Sequence, residues 1–398
     1  MLALSPAECL SFSSNAATHY LLQLNLITKL SFALSILLLS TSLATAEEIY
    51  HSHHHDFKLT QITDGLERPW GLAFLPNGDV LISERVGRLR IIRDGQLAPK
   101  PITGLPKNIY VKGQGGLLDV AIHPEFAENR LVYISYAGRG SGGAGTEVAR
   151  ARLVGNSLQD TETIFRVSPK TPGAHHYGSR LVFADDGTLF ITTGDRYDRL
   201  HDAQDPRNHL GSIIRLNDDG TIPSDNPFIN HSRNQAEIYS YGHRNAQGIA
   251  KRPSDQSIWS HEHGPRGGDE VNKLKPGANY GWPAITYGID YSGEIISDKT
   301  HAPGMEQPVV YWDPSIAPSG MAFYTGTHFP HWEGDLFVGA LALQHLRRLE
   351  IKGDEVVNQE VLLEGMARIR DVRNGPDGYL YILTDEKNGK LLRLVPSD

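Results

Sequence analysis

Short runs of alternating apolar and polar residues dominate this chain, and most of them meet in pairs across a two-residue turn. Trp70 to Ser83 sets one β-rich run against another across Asn77-Gly78. Gly178 to Thr192 repeats the arrangement around Asp186-Gly187, and Ile369 to Leu383 repeats it around Asp377-Gly378. Asn-Gly or Asp-Gly between apolar runs predicts a β-hairpin, because both turn residues readily take positive φ. Looser copies span Leu117 to Tyr136, Gly248 to Ser260 and Gly320 to Gly339. The six turns fall near residues 78, 129, 187, 256, 334 and 378. Propeller blades repeat every ~40–50 residues, and loop insertions stretch that spacing. No copy is followed by an amphipathic helical pattern, which disfavours a βαβ fold.

The pattern therefore predicts an all-β chain: a six-bladed β-propeller, with four antiparallel strands per blade around a central channel. A pair of sandwiches accounts less well for six similar hairpins. Phe57 to Thr63 reads as an additional strand that joins the last blade and closes the ring. The catalytic domain is placed at 57–398.

Composition narrows the function classes. The 398 residues carry a net charge of -8, which argues against a nucleic-acid partner. Lys29, the apolar run Leu30 to Leu43 and Ala44-Thr45-Ala46 read as a secretory signal over 1–46. That run is shorter than the ~20 residues a membrane span needs, so no stable span is expected after cleavage, with an uncleaved anchor as the competing reading. Cys9, the single cysteine, lies inside the signal. A periplasmic or secreted chain without disulfides is expected. His51-Ser-His-His-His55 falls in a leader (47–56) read as loose and solvated, with a metal-binding tract as the alternative.

The candidate chemistry clusters where repeats begin. Gly138 to Gly143 matches G-x-G-x-x-G, but Thr146 to Leu153 after it reads as a strand, so the match is a hairpin loop. His176 opens the third repeat and is a candidate proton acceptor. A loop histidine satisfied by backbone is the competing reading. Asp195 ends the same hairpin, where a carboxylate can fix an imidazole's tautomer. Arg244-Asn245 opens the fourth repeat and suits carboxylate or quinone-like oxygens, against a competing role in salt bridges between blades. Arg368 and Arg370 open the sixth and share a strand face; Gln114 opens the second. Their convergence on one axis predicts a polyanionic ligand in the channel mouth. Ser260 to Glu270 packs His261, His263, three glycines, Pro265, Arg266 and carboxylates into eleven residues. The two histidines alternate onto one face as a zinc pair would, with no third such ligand nearby.

In combination these stretches resemble the soluble, pyrroloquinoline-quinone-dependent glucose/sorbosone dehydrogenase family, in particular its aldose sugar dehydrogenase branch. The matching segments are Gln114 to Asp119, His176 with Gly178-Ser-Arg-Leu181, Tyr241 to Gly248, Glu262 to Glu270, Asn279 to Pro283 and Arg368 to Asp371. The resemblance implies a six-bladed propeller and an aldose sugar substrate. It implies His176 as general base, Asp195 as the acid that orients it, and Arg244 as a further catalytic group. It implies that Gln114, Arg244, Asn245, Arg368 and Arg370 bind the quinone. Gly264 and Pro265 carbonyls match the ligands of a calcium ion that grips the quinone, and Glu270 and Tyr280 match a second, structural calcium site. An external electron acceptor and a monomer or homodimer are further expectations.

Two departures stand out. The family's glucose enzymes place a lysine in the fifth-blade loop against a cofactor carboxylate. Ala342 stands at about that position here, with Gln344 as a partial substitute. Tyr311-Trp312-Asp313 occupies the region of the aromatic roof over the sugar. The competing functions are a lactonase-type propeller hydrolase and a non-catalytic binding propeller.

Overall fold

The computed structural model describes residues 48–397; the signal segment and Cys9 lie outside them. Six antiparallel sheets form the six blades. Each predicted hairpin supplies the first two strands of a blade. Pro69–Phe74 and Val80–Glu84 begin the first, and Leu117–Ile122 and Leu131–Gly140 the second. Leu181–Phe183 and Leu189–Thr192 begin the third, and Ala246–Lys251 and Ile258–Glu262 the fourth. Pro318–Phe323 and Leu336–Ala340 begin the fifth, and Ile369–Asn374 and Leu380–Thr384 the sixth. The first strands contact one another in cyclic order, sixth to first included, so they line the axis.

Closure uses the N-terminal strand, as the alternation predicts. Asp56–Leu66 pairs with Gly389–Pro396 from Phe57 opposite Pro396 to Leu66 opposite Gly389, with register shifts between Gln61 and Thr63 and between Thr63 and Leu66. This covers the open edge of the sixth blade. The histidine tract departs from its expectation of a loose leader. Tyr50–His51 adds a further short strand. The Tyr50 ring stacks on Phe57 at 5.6 Å, and His55 packs edge-on against Trp332 at 5.5 Å. Packing of these partly buried rings on the closing strand and the fifth blade offsets the entropy of ordering the leader.

Stability resides between blades. Leu81, Ile91, Val120 and Ile134 share one buried cluster between the first and second blades. Phe57, Trp332, Phe337 and Ile382 share another between the fifth and sixth. Comparable clusters fill the remaining four junctions. Among the described residues, no helix is long and apolar enough to cross a membrane.

The axis itself is plugged by charge. Arg180, fully buried just before the third blade's first strand, stacks over the Trp70 ring at 4.0 Å. It donates to the Gln247 and Arg370 carbonyls at 2.8 Å each. It also lies 2.9 Å from Asp371 Oδ1 and 3.5 Å from Asp119 Oδ1. Arg373 reaches the same two carboxylates at 3.0 Å each. One guanidinium thus ties five blades together. The cluster divides the channel into a polar cavity on one side and an apolar mouth, near Leu72, Val120, Ile249 and Met321, on the other.

Candidate active site

The polar cavity measures about 550 Å³ and is built by a simple rule. The residue just before a blade's first strand lines it: Arg68, Asn245, Ala317 and Arg368 in the first, fourth, fifth and sixth blades. So does the residue just after the second strand: Arg85, His263, Leu341 and Asp385 in those same blades. Strand ends at one face of the ring converge on the axis, so these positions meet although they are scattered along the chain. Gln114, Tyr177, Gln247 and Arg370 complete the polar wall.

Four predicted cofactor residues therefore share this cavity: Gln114, Asn245, Arg368 and Arg370. Arg368 and Arg370 both reach Asp385 Oδ2, at 3.3 and 2.7 Å. Sequence reasoning missed Arg68, Arg85 and Asp385. Aligning the repeats on their strand ends, rather than on their turns, would have exposed them.

His176 sits on the segment entering the third blade, beside the cavity-lining Tyr177, and is buried. Its Nδ1 donates to Asp195 Oδ1 at 2.6 Å, which leaves Nε2 as the bare, basic nitrogen. Asp195 is itself held. Its Oδ2 accepts from Trp282 Nε1 at 2.9 Å and its Oδ1 from the Tyr197 N–H at 2.8 Å. Burial pushes the His176 imidazole below its ordinary 6.5, and Asp195 opposes that only in part. Burial works to raise Asp195, yet His176, Arg244 and the Tyr197 N–H hold it below the ordinary carboxylate range. The pair is a neutral imidazole on an ionised carboxylate at neutral pH.

The backbone of His176 is equally constrained. It takes φ +52°, a conformation unfavourable for a residue with a Cβ. Gln114 Oε1 accepts its N–H at 2.8 Å, so this predicted cofactor residue also fixes the His176 backbone. Arg196, buried and stacked at 3.7 Å over the Tyr177 ring, donates to the carbonyls of Gly173, His175 and His176. A lysine keeps the charge but not the planar fork that bridges three carbonyls. Arg196→Lys is expected to lower kcat by about ten- to a hundredfold, through small displacement of the imidazole. Steady-state kinetics check this: a change in KM alone would reject the positioning role.

Arg244 lies on the fourth blade's entrance, between aromatic faces. Its guanidinium is 5.3 Å from the Trp282 ring and 5.9 Å from Tyr291. Nη1 donates to the carbonyls of His263 and Gly264, at 3.1 and 2.9 Å. Arg244, Gly264, Glu270 and Tyr280 border a much smaller void of about 10 Å³, shared with Glu262. Pro265 is buried but borders neither space. The Tyr280 hydroxyl is committed to the Lys273 carbonyl at 2.7 Å, so it is not turned to the void. Burial and the Glu262 carboxylate hold Glu270 well above the ordinary carboxylate range. The buried Asn272 Oδ1 has no partner. Two carboxylates, Glu262 and Glu270, bordering an ion-sized void suit a hard cation.

His261 and His263 donate through Nε2 to the Ser319 and Pro318 carbonyls of the fifth blade, which removes both from any zinc pair. Gly264 and Gly267 are also required by close packing. A Cβ on Gly264 would lie 2.1 Å from the Gly267 oxygen, and one on Gly267 2.5 Å from Asp313 Oδ1. Ala342 and Gln344 are exposed and do not line the cavity. Tyr311 belongs to the fourth blade's outer strand and stacks on Tyr287 at 3.9 Å. An aromatic lip beside His176 is formed by Tyr197, 5.2 Å edge-on from it, and Tyr291, stacked on Tyr197 at 6.5 Å.

Comparison with known proteins agrees with this geometry. A family model described as Glucose / Sorbosone dehydrogenase matches residues 66–393. The chain is 47% identical to aldose sugar dehydrogenase YliI of Escherichia coli K12, over 84% of this chain and 92% of that protein. The apo crystal structure of the soluble aldose sugar dehydrogenase from Escherichia coli superposes with a TM-score of 0.82 at 45% identity, covering 86% of this chain and all of that one. The PQQ-bound aldose sugar dehydrogenase from Streptomyces coelicolor superposes at 0.70 with 28% identity, covering 86% and 98%. With the match running from the closing strand to the last blade, over the same loops that build the cavity, this chain belongs to the glucose/sorbosone dehydrogenase family.

Proposed function

We propose that this protein oxidises aldose sugars at the anomeric carbon to lactones, with pyrroloquinoline quinone and calcium, and passes electrons to an external acceptor in the periplasm or outside the cell. The observation that carries the reading is a neutral, Asp195-oriented His176 at the edge of a cavity walled by four arginines. The names of the similar dehydrogenases support it. The residues present fit the group: Arg370 Nε and Arg244 Nε are buried without partners, and the cavity has an excess of positive charge.

Bound quinone supplies a carbonyl carbon that accepts hydride, and bound calcium supplies a Lewis acid that polarises that carbonyl. His176 Nε2 takes the proton of the anomeric hydroxyl, so the C1–O bond gains double-bond character as C1 loses its hydrogen with the electron pair. Asp195 stabilises the imidazolium that forms and keeps Nδ1 protonated. Arg244, held by the His263 and Gly264 carbonyls, places positive charge where negative charge develops. Gln114, Asn245, Arg368 and Arg370 would hold the quinone. Gly264 and Pro265 carbonyls would hold the calcium, and Glu270 with Tyr280 a second ion. The cationic wall disfavours a hydrolase built on an acidic calcium cage.

Reconstitution tests the proposal: purified protein with quinone and calcium should reduce a dye with one or more aldoses. Absence of turnover with every sugar, and no quinone absorbance after desalting, would falsify it. The calcium part has a separate expected outcome. Chelation should lower the melting temperature and added calcium restore it, while Glu270→Gln removes the calcium-dependent increment. An unchanged increment in that variant would place the ion elsewhere.

A further inference from the structure

The cavity carries more positive charge than its recognised binding residues account for. Arg68, Arg85, Arg368 and Arg370 line it, with Asp385 as the carboxylate among its lining residues. Arg368 and Arg370 are both paired with Asp385. Arg85 donates only to the Gly113 carbonyl, and among the described residues Arg68 has no side-chain hydrogen bond or ion pair. Both are half-buried on the first blade, at the ends of its first two strands. Burial lowers the Arg85 pKa and the neighbouring Arg370 and Arg68 charges lower it further, against an opposing pull from Asp385.

A fold gains nothing from bringing unpaired like charges together around a void. Such an arrangement persists where a ligand supplies the missing charge. The fifth-blade loop, where the family's glucose enzymes carry a lysine, offers only Leu341 to the cavity. The first blade offers two guanidiniums.

Resting on the function proposed above, we infer that Arg68 and Arg85 are anion-binding residues for the carboxylates of the quinone, replacing from the first blade the cation that the fifth blade lacks. Four guanidiniums against one carboxylate leave an excess of three positive charges, which matches a tricarboxylate. The planar fork of arginine suits carboxylates in two-point contact.

Arg68→Gln, Arg85→Gln and the double variant test this through equilibrium binding of pyrroloquinoline quinone to calcium-loaded protein, followed by tryptophan fluorescence. Each single change is expected to weaken affinity by about tenfold, as loss of one charge-assisted contact does. The double variant should also show a shallower loss of affinity with rising salt. Without quinone, the melting temperature of Arg85→Gln should be unchanged or higher, because a like charge has been removed. A structural arginine would give the reverse: quinone affinity as in the parent and a lower melting temperature. That result overturns the inference and leaves the proposed function standing. Failure of the parent protein itself to bind the quinone overturns both.

Discussion

Replacing His176 by alanine should lower aldose turnover by at least ~100-fold, the scale of a lost general base, with quinone affinity retained. The expectation rests on the division of labour in the site. The imidazole Nδ1 is spent on Asp195, and no protein group bonds Nε2 among the described residues. The contact that steadies the loop, from Gln114, goes to the His176 backbone and survives the substitution. Quinone affinity measured beside turnover separates the two effects, and surviving turnover would place the base elsewhere.

The pH profile follows from the same geometry. Burial sets the imidazole below 6.5, so the base is deprotonated at neutral pH and the acid limb of kcat/KM should lie below that value. Asp195 is the main influence raising the imidazole's pKa. Asp195→Asn should therefore move the acid limb to still lower pH while reducing the plateau rate, because a weaker base is left without its counter-charge. A limb that moves upward would contradict this pairing.

The second large effect concerns stability. Arg180→Leu should destabilise the propeller by ~3–5 kcal/mol, the range for removing one member of a buried ionic cluster. The guanidinium is fully buried, and its loss weakens the compensation of Asp119 and Asp371 on the axis. It also leaves the Gln247 and Arg370 carbonyls without their donor. Arg373 still reaches both carboxylates, which is why the ring should remain assembled at low denaturant rather than fail to fold. Urea unfolding measures the change; a loss under ~1 kcal/mol would mean that solvent or Arg373 already satisfies the cluster. Because Arg180 abuts the Arg370 backbone, quinone binding should weaken in the same variant.

Much of the architecture was legible along the chain because hairpins are local. Asn77-Gly78 and Asp186-Gly187 lie in the hairpin turns expected, but only Gly78 and Gly187 take positive φ, so each turn is longer than two residues. The closing strand was legible for a similar reason, since Phe57 to Thr63 carries its alternation in its own residues. The His176–Asp195 pair could be read because one hairpin returns the carboxylate beside the imidazole.

What the chain order could not disclose depends on partners brought together only by closure of the ring. Trp282 holds Asp195 from 87 residues away, and Arg180 meets the Arg370 carbonyl across 190. Arg68 and Arg85 look like ordinary strand-end arginines until the first blade meets the sixth. Strand pairing assigns Tyr311 to an outer edge, while Tyr291 joins the lip beside His176. Sequence by itself determined the blades, their number and the chemistry at their entrances, since these follow from nearest-neighbour backbone preference and burial. The tertiary structure alone decided which charges share the axis, because electrostatic pairing depends on distance in space and the propeller sets that distance only once its last edge is covered.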